Sequence, residues 1–457
     1  MAEKKNKKIL GISAIAVIDN LVFSKTDCWA FYKVTNDVFD FLSHSQKHSL
    51  AVRINNALAN VVSDKDEPLE YHLITTSIPI DVDNWERQVR QMAEENNNPA
   101  PGFDNFVNEQ VKHLKEQDFL QKVAYIGFNI GKRGALNMSN LNVLDMGVKV
   151  AKDTIKEWAK TMLHAPNSEI SAKEEAAFRS KEEEYARIMR SGNLRGERVE
   201  AEEILIFMKS QYYPTIPVPP LNSDYEHRFG AGDILNETAH VIENKYRWLR
   251  VGQMYKQFEL YGYRATLTFT EFPKKSYYPL GTFPFMYFPA KLGVPFTMYS
   301  RGFLTPTSNL KAEVEKKKKE QKDELENVTT GQDQYDSAIN GVPSETITAI
   351  GDLNEISDII GSSKMPWVQG SYYLVVEAPE EDVLRDYCNR LKQEYDDLGI
   401  KLQWTAGDQA QLLLESMPGD RIRSKSFTQT TNLEMLSTSG FNFSSDIGDN
   451  ILFESEK

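Results

Sequence analysis

The chain has 457 residues, 40% of them hydrophobic and 26% charged, with a formal net charge of −13. It is too long for one ordinary core and too apolar for disorder, so a folded protein of about two to four domains is expected. The acidic balance weighs against a general nucleic-acid binder, which needs clustered Lys and Arg to neutralise phosphates.

Lys4, Lys5, Lys7 and Lys8 precede an apolar run at 9–18 that imitates a signal peptide. The run is β-branched and lacks a small-residue cleavage site, so a first strand is expected there. Further strands are expected at 21–24 and 29–34, with Asp19-Asn20 and Lys25-Thr26-Asp27 supplying the turns. A helix follows at about 36–62, then a strand at 70–79 with alternating Tyr71, Leu73 and Thr75. After an Asn- and Pro-rich loop, Asp104 is expected to cap a helix that carries Phe106, Val107, Val111 and Leu114 on one face. That helix leads into a strand at 123–128, which completes an N-terminal α+β module over 1–147.

A helical insertion is expected over 148–221. Val150, Ile155, Trp158 and Met162 line one face, Lys/Glu pairs mark 171–189, and Pro214, Pro217, Pro219 and Pro220 end it. Residues 222–308 read as an aromatic and Pro-rich β region. Tyr278, Phe285, Tyr287 and Phe296 are interleaved there with Pro273, Pro279, Pro284, Pro289 and Pro295. The prolines exclude a transmembrane helix. The segment either folds irregularly against the core or offers an aromatic contact surface to a protein or membrane partner. A charged helix over 309–330 holds Lys316, Lys317, Lys318 and Lys319 among acids, the pattern of a solvated face.

The next module spans 331–430. A strand at 371–376 precedes a helix that opens at Pro379 and ends at Gly399, with Val383, Leu384, Tyr387, Leu391, Tyr395 and Leu398 as its buried stripe. A strand at 400–405 makes this a split β-α-β unit. A short helix at 408–417, capped by Asp408, stops at Pro418-Gly419. Residues 431–457 read as the start of a linker. The fold class expected is α+β: mixed strand–helix modules, a helical middle insertion and a C-terminal split β-α-β module.

Tyr125-Ile-Gly-Phe-Asn-Ile-Gly-Lys-Arg-Gly134 invites comparison with a phosphate-binding loop. Gly127 and Gly131 enclose three residues where that loop needs four, and Arg133 stands where a magnesium-binding hydroxyl is required. A buried strand running into a Gly-rich turn is the expectation instead. His44 and His48 have a zinc-compatible i, i+4 spacing but lack the H-E-x-x-H glutamate. Gly230-Ala231-Gly232-Asp233 reads as a turn, not a dinucleotide fingerprint, because no strand is expected to lead into it. Cys28 and Cys388 belong to no metal or redox spacing and read as reduced thiols of a cytosolic protein. No residue is therefore assigned as catalytic, cofactor-binding or metal-ligating.

One stretch carries a family resemblance. Gly407-Asp408-Gln409-Ala410-Gln411-Leu412-Leu413-Leu414-Glu415-Ser416-Met417-Pro418-Gly419 follows the strand–helix–strand unit. It resembles the end of the N-terminal domain of the large type IV secretion ATPases of bacterial conjugation, the TrbE/CagE/TraE-like family. Tyr125-Ile-Gly-Phe, the Thr-Glu-Phe-Pro ending at Pro273, Val294-Pro295-Phe296 leading to Arg301, and the charged helix agree in order. Composition and strand order look most like versions from Gram-positive conjugative elements. The resemblance implies an assembly and docking domain that supports DNA or protein transfer by contacting channel and inner-membrane proteins. It also implies homo-oligomers in the full-length context and no sequence-specific nucleic acid contact. The location implied is cytoplasmic, peripheral at the cell membrane. Members continue into a motor domain with Walker A and Walker B motifs, which this sequence does not contain. ATP and magnesium are accordingly expected only there, and no catalytic residue carries over. The alternative is a cytosolic adaptor or enzyme of another type whose resemblance is accidental.

Overall fold

The computed structural model describes residues 13–35, 37–38, 42–62, 67–79, 102–116, 120–133, 170–191, 194–215, 228–230, 240–255, 258–273, 284–292, 294, 296–309 and 365–444, with scattered positions in 86–93 and 311–320. The first strands, β1 (Ala14–Ile18), β2 (Leu21–Ser24) and β3 (Asp27–Val34), form an antiparallel meander. Their β-branched and aromatic residues suit a pleated surface covered on both faces. Asp19, at φ 49°, takes the left-handed conformation that the tight β1–β2 turn requires. After β4 (Asp37–Val38) come α1 (His44–Val62), β5 (Leu69–Pro79), α2 (Phe103–Glu116) and β6 (Leu120–Lys132). β6 inserts between β3 and β5, antiparallel to both. α3 (Ala172–Ser191) leads to a short strand, β7 (Glu197–Arg198), which extends the pairing of β3 beyond β2, and then to α4 (Ala201–Ser210).

After β8 (Arg228–Gly230), which pairs with β1, the second half of the chain repeats this plan. β9 (His240–Asn244), β10 (Leu249–Tyr255) and β11 (Phe258–Glu271) form the meander. α5 (Phe288–Lys291) and β12 (Phe296–Thr305) follow, and β13 (Trp367–Ala378) inserts between β11 and β12. α6 (Glu381–Asp397) leads to β14 (Lys401–Trp404), which extends the pairing of β11 beyond β10, and then to α7 (Gln409–Glu415). The spatial orders are β1-β2-β3-β6-β5 and β9-β10-β11-β13-β12, and the halves meet where β5 pairs antiparallel with β12. A pseudo-two-fold relation at that junction carries one half onto the other. β15 (Gln429–Asn432) pairs with β13, α8 (Leu433–Ser437) follows, and β16 (Phe443–Ser444) lies parallel to β4.

Chain length forces this sheet to curl. Eleven strands lie between and including β8 and β9 on the main path, so ten gaps of about 4.8 Å would separate these edges by about 48 Å if the sheet were flat. Gly230 and His240 are 240 − 230 = 10 residues apart, a reach of about 35 Å at most. The two edges are therefore drawn toward each other, and α4 and α7 fill the inner face. Ile204, Leu205 and Met208 of α4 and Leu412, Leu413 and Met417 at α7 join Val17, Val22, Trp29, Phe31, Val251 and Val375 in one apolar cluster. Alternate residues of the same strands point outward, where α1, α3, α6 and α8 cover them in a larger cluster.

The antiparallel sheet with its helices makes this an α+β protein, as expected. The split β-α-β unit is also present: β13 and β14 flank β11, with α6 as the crossover. Other expectations change. The strand expected at 123–128 runs through Leu120–Lys132. Helix α2 begins at Phe103, so Asp104 lies inside its first turn and pairs with Arg90 at 2.7 Å instead of capping. Within the helical insertion, 148–169 lie outside the described residues, whereas α4 is part of the inner core. Residues 431–444, expected to open a linker, fold back instead, and Leu433, Leu436, Phe441 and Phe443 are buried. Apolar side chains at that spacing gain more from the outer core than from water. In the aromatic segment Phe285, Met286 and Tyr287 are buried, with Phe285 packed against Phe269, Phe272 and Tyr372. Those rings are core and not a docking face; Tyr278 lies outside the described residues. No helix among the described residues is long and apolar enough to cross a membrane.

Candidate functional site

The pleat turns every second residue of the central strands inward. That places Glu70 and His72 of β5, Arg301 of β12, Arg264 of β11 and Glu377 of β13 on the inner face, under the exit of α7. Arg301 is fully buried. Its guanidinium donates to the Glu415 carbonyl at 3.1 Å, the Asp420 carbonyl at 2.5 Å and the Glu70 carboxylate at 3.0 Å, with the Trp29 ring 4.9 Å away. Arg264, equally buried, donates to Ser416 Oγ at 3.0 Å, Gln211 Oε1 at 2.6 Å and Glu377 at 3.4 Å. Two cations thus meet the C-terminal end of α7, where unsatisfied carbonyls concentrate negative charge.

Carboxylates complete the enclosure. Asp420 accepts from the backbone N–H and hydroxyl of Ser13, each at 3.0 Å, and from Arg423. Glu415 accepts the backbone N–H groups of Arg423 at 2.7 Å and Ser424 at 2.9 Å. Burial pushes its carboxyl above the ordinary range. Gln409 acts as an extra strand partner: its amide accepts from the Thr266 N–H at 2.8 Å and donates to the Thr266 carbonyl at 2.9 Å. His72 lies between Phe31 and Tyr299, each ring centroid 6.0 Å away. Burial, then the neighbouring Arg301 charge, hold it neutral by depressing its pKa well below the usual value.

Chemically, these groups hold backbone. The inner-face cavity lined by Phe31, Ile74, Tyr125, Ile204, Phe207 and Pro418 has room for about one water molecule. The arrangement fixes the 407–420 stretch in place.

The residues singled out in the sequence are scattered. Gly127 and Gly131 lie within β6, whose ladder bonds go to β3 and β5, and a Cβ on Gly127 would overlap the Phe31 ring at 2.4 Å. His48 is exposed on α1, which His44 opens. Among the described residues no group of three His, Cys, Asp or Glu could hold a metal ion. Contrary to expectation a strand does lead into Gly230, since β8 ends there; it is an antiparallel edge and not the parallel strand of a dinucleotide site. Cys28 and Cys388 are buried free thiols. Burial raises the pKa of both, to about 12 for Cys388. Asp408 forms no side-chain cap on α7; its carboxylate accepts from the Ser424 hydroxyl at 3.3 Å. Of the inward arginines, Arg264 was not foreseen and Arg301 was named only as the end of the Val294-Pro295-Phe296 stretch. Their signal was a lone Arg in an otherwise apolar alternating strand, Arg264 before Ala265-Thr266-Leu267 and Arg301 after Met298-Tyr299-Ser300.

No protein-family model matches the chain, and no curated protein matches it.

Proposed function

We propose that this chain is a non-catalytic assembly and docking domain of a conjugative type IV secretion ATPase, acting through its shape and contacts. One observation carries the reading. The 407–419 stretch, on which the family resemblance chiefly rests, serves largely to build the domain: Gln409 braces β11, Leu412, Leu413 and Met417 are buried, and Arg264 and Arg301 grip the exit. A motif spent on architecture suits a domain that positions a motor and leaves ATP and magnesium to it. The partners are channel and inner-membrane proteins, met from the cytoplasmic side, with homo-oligomers forming in the full-length context.

Site-specific photocrosslinking of the chain in a donor cell carrying the transfer element is expected to join it to channel proteins of the inner membrane. The purified chain is expected to release no phosphate from ATP in magnesium. Steady release, or crosslinks confined to cytosolic enzymes, would instead favour an enzyme or adaptor of another type.

A further inference from the structure

The duplicated plan supplies an internal control for one exposed element. In the first half the β1–β2 hairpin turns through Asp19 and Asn20 and is tied down. Arg179 of α3 donates to Asp19 at 2.6 Å and Asn20 at 2.9 Å, and the Asn20 amide donates to buried Glu182 at 2.9 Å. Its counterpart, the β9–β10 hairpin, is held at the tip through backbone by Gly407, and among the described residues no helix side chain bonds Lys245, Tyr246 or Arg247, all of them exposed. Tyr246, 65% exposed, leads the large apolar side chains in exposure among the described residues.

Tyr246 sits at φ 72°, a strained conformation for a bulky side chain. The strain is held from three sides. Arg247 N–H donates to the Lys245 carbonyl at 2.9 Å, Tyr246 N–H donates to Asn244 Oδ1 at 2.9 Å, and Gly407 N–H donates to the Tyr246 carbonyl at 2.8 Å. The first-half hairpin also turns through a left-handed residue, but it places there Asp19, a type that tolerates positive φ. A bulky tyrosine at the equivalent tip is a strained choice that points to a role in recognition.

The surroundings indicate the partner. Behind the tip, Trp248 packs on Trp404 and carries the Arg385 guanidinium 5.3 Å from its ring centroid. Arg385 belongs to the start of α6, among exposed Glu380, Asp382 and Asp386. A basic, aromatic tip therefore stands beside an acidic helix start, and the combined patch is complementary to itself. The net charge of −13 disfavours an anionic membrane or nucleic acid as the occupant.

We propose that this patch is a homodimer contact in which two copies, related by a two-fold axis, each seat Tyr246 against the α6 start of the other. Arg247 meets Asp382 and Asp386 of the second copy, and the self-complementary geometry closes at two subunits. The contact holds whichever apparatus the chain serves.

Sedimentation velocity of the full chain over a concentration series should reveal a monomer–dimer equilibrium that weakens with salt. Tyr246→Gly keeps the turn, since glycine accepts φ 72°, and should raise the dissociation constant at least about tenfold without lowering the melting temperature. Arg247→Glu should weaken the dimer similarly, and adding Asp382→Arg should restore it. A chain monomeric at every concentration, a dimer indifferent to Tyr246→Gly, or a charge swap no better than Arg247→Glu alone overturns the proposal. So does a monomer that binds phosphatidylserine vesicles through Tyr246, which would assign the tip to a lipid surface.

Discussion

Arg301 on β12 donates to the main-chain oxygen of Asp420 at 2.5 Å, across 119 residues of sequence. The same guanidinium reaches Glu70 on β5, so one side chain ties the junction of the two halves to the exit of α7. A guanidinium spreads its donors over separate nitrogens in a rigid plane and so reaches acceptors that lie apart, whereas an ammonium offers its three donors from a single point. Arg301→Met should leave two carbonyls unpaired in the core and Glu70 with only its bond from Asn129, and cost about 3–5 kcal/mol. Arg301→Lys should recover only part of that loss. Urea denaturation measures both, and a loss under about 1 kcal/mol for the Met variant would remove the clamp from the energetics of the fold.

The inner helix offers a paired test. Leu413 is 1% exposed between the sheet halves, so Leu413→Ala should cost about 2–5 kcal/mol. Asp408, without a capping bond, should lose under about 0.5 kcal/mol as Ala, whereas a true cap would lose about 1 kcal/mol. Thermal melts of the two variants separate these outcomes.

Sequence patterns and the structure agree where contacts are local. The opening meander, α6 with its stripe apart from Leu398, which is 37% exposed, and the split β-α-β unit were legible because alternation, Pro379 and Gly399 act within a few residues. The β5–β12 pairing was not, since alternation within a strand says which face each residue takes and names no neighbour. The duplication was hidden for a related reason: the halves share an order of elements and no repeated motif. Asp408 failed as a cap because Gln409, one residue on, took the bonds to β11 that fix the helix start. Nothing in the sequence marks Glu415 and Asp420 as buried, and only the three-dimensional return of 421–424 encloses them.

Gly419 tests how tightly that return is packed. It adopts φ 73°, and a Cβ would lie 2.5 Å from Val22 Cγ1. Gly102, at φ 92°, has nothing within 4 Å. Alanine at either position carries left-handed strain of about 1–2 kcal/mol, but only Gly419→Ala adds overlap worth about 1–3 kcal/mol. Equal losses in chemical denaturation would mean that Pro418-Gly419 is a loose hinge and not a packed turn.

Lys122 gives the fold a pH dependence whose sign can be fixed. Its ammonium donates to the Gly440 carbonyl at 3.2 Å and lies 4.9 Å from the Tyr287 ring centroid, buried under the returning C-terminal segment. Burial pulls its pKa from the ordinary lysine value of 10.5 down to about 7. Between those values the folded amine is neutral while the unfolded one is charged, so unfolding takes up a proton. Stability therefore rises with pH across that window, by up to about 1.4 kcal/mol per unit, and the contribution is lost as pH falls through about 7. The raised thiols of Cys28 and Cys388 act in the opposite sense at alkaline pH. The difference between wild type and Lys122→Met isolates the lysine. Lys122→Met should be the more stable protein near pH 7, with the gap closing as pH climbs toward 10. Urea midpoints of the two proteins across that range decide it: a gap that does not change with pH would mean that Lys122 keeps its charge in the folded state.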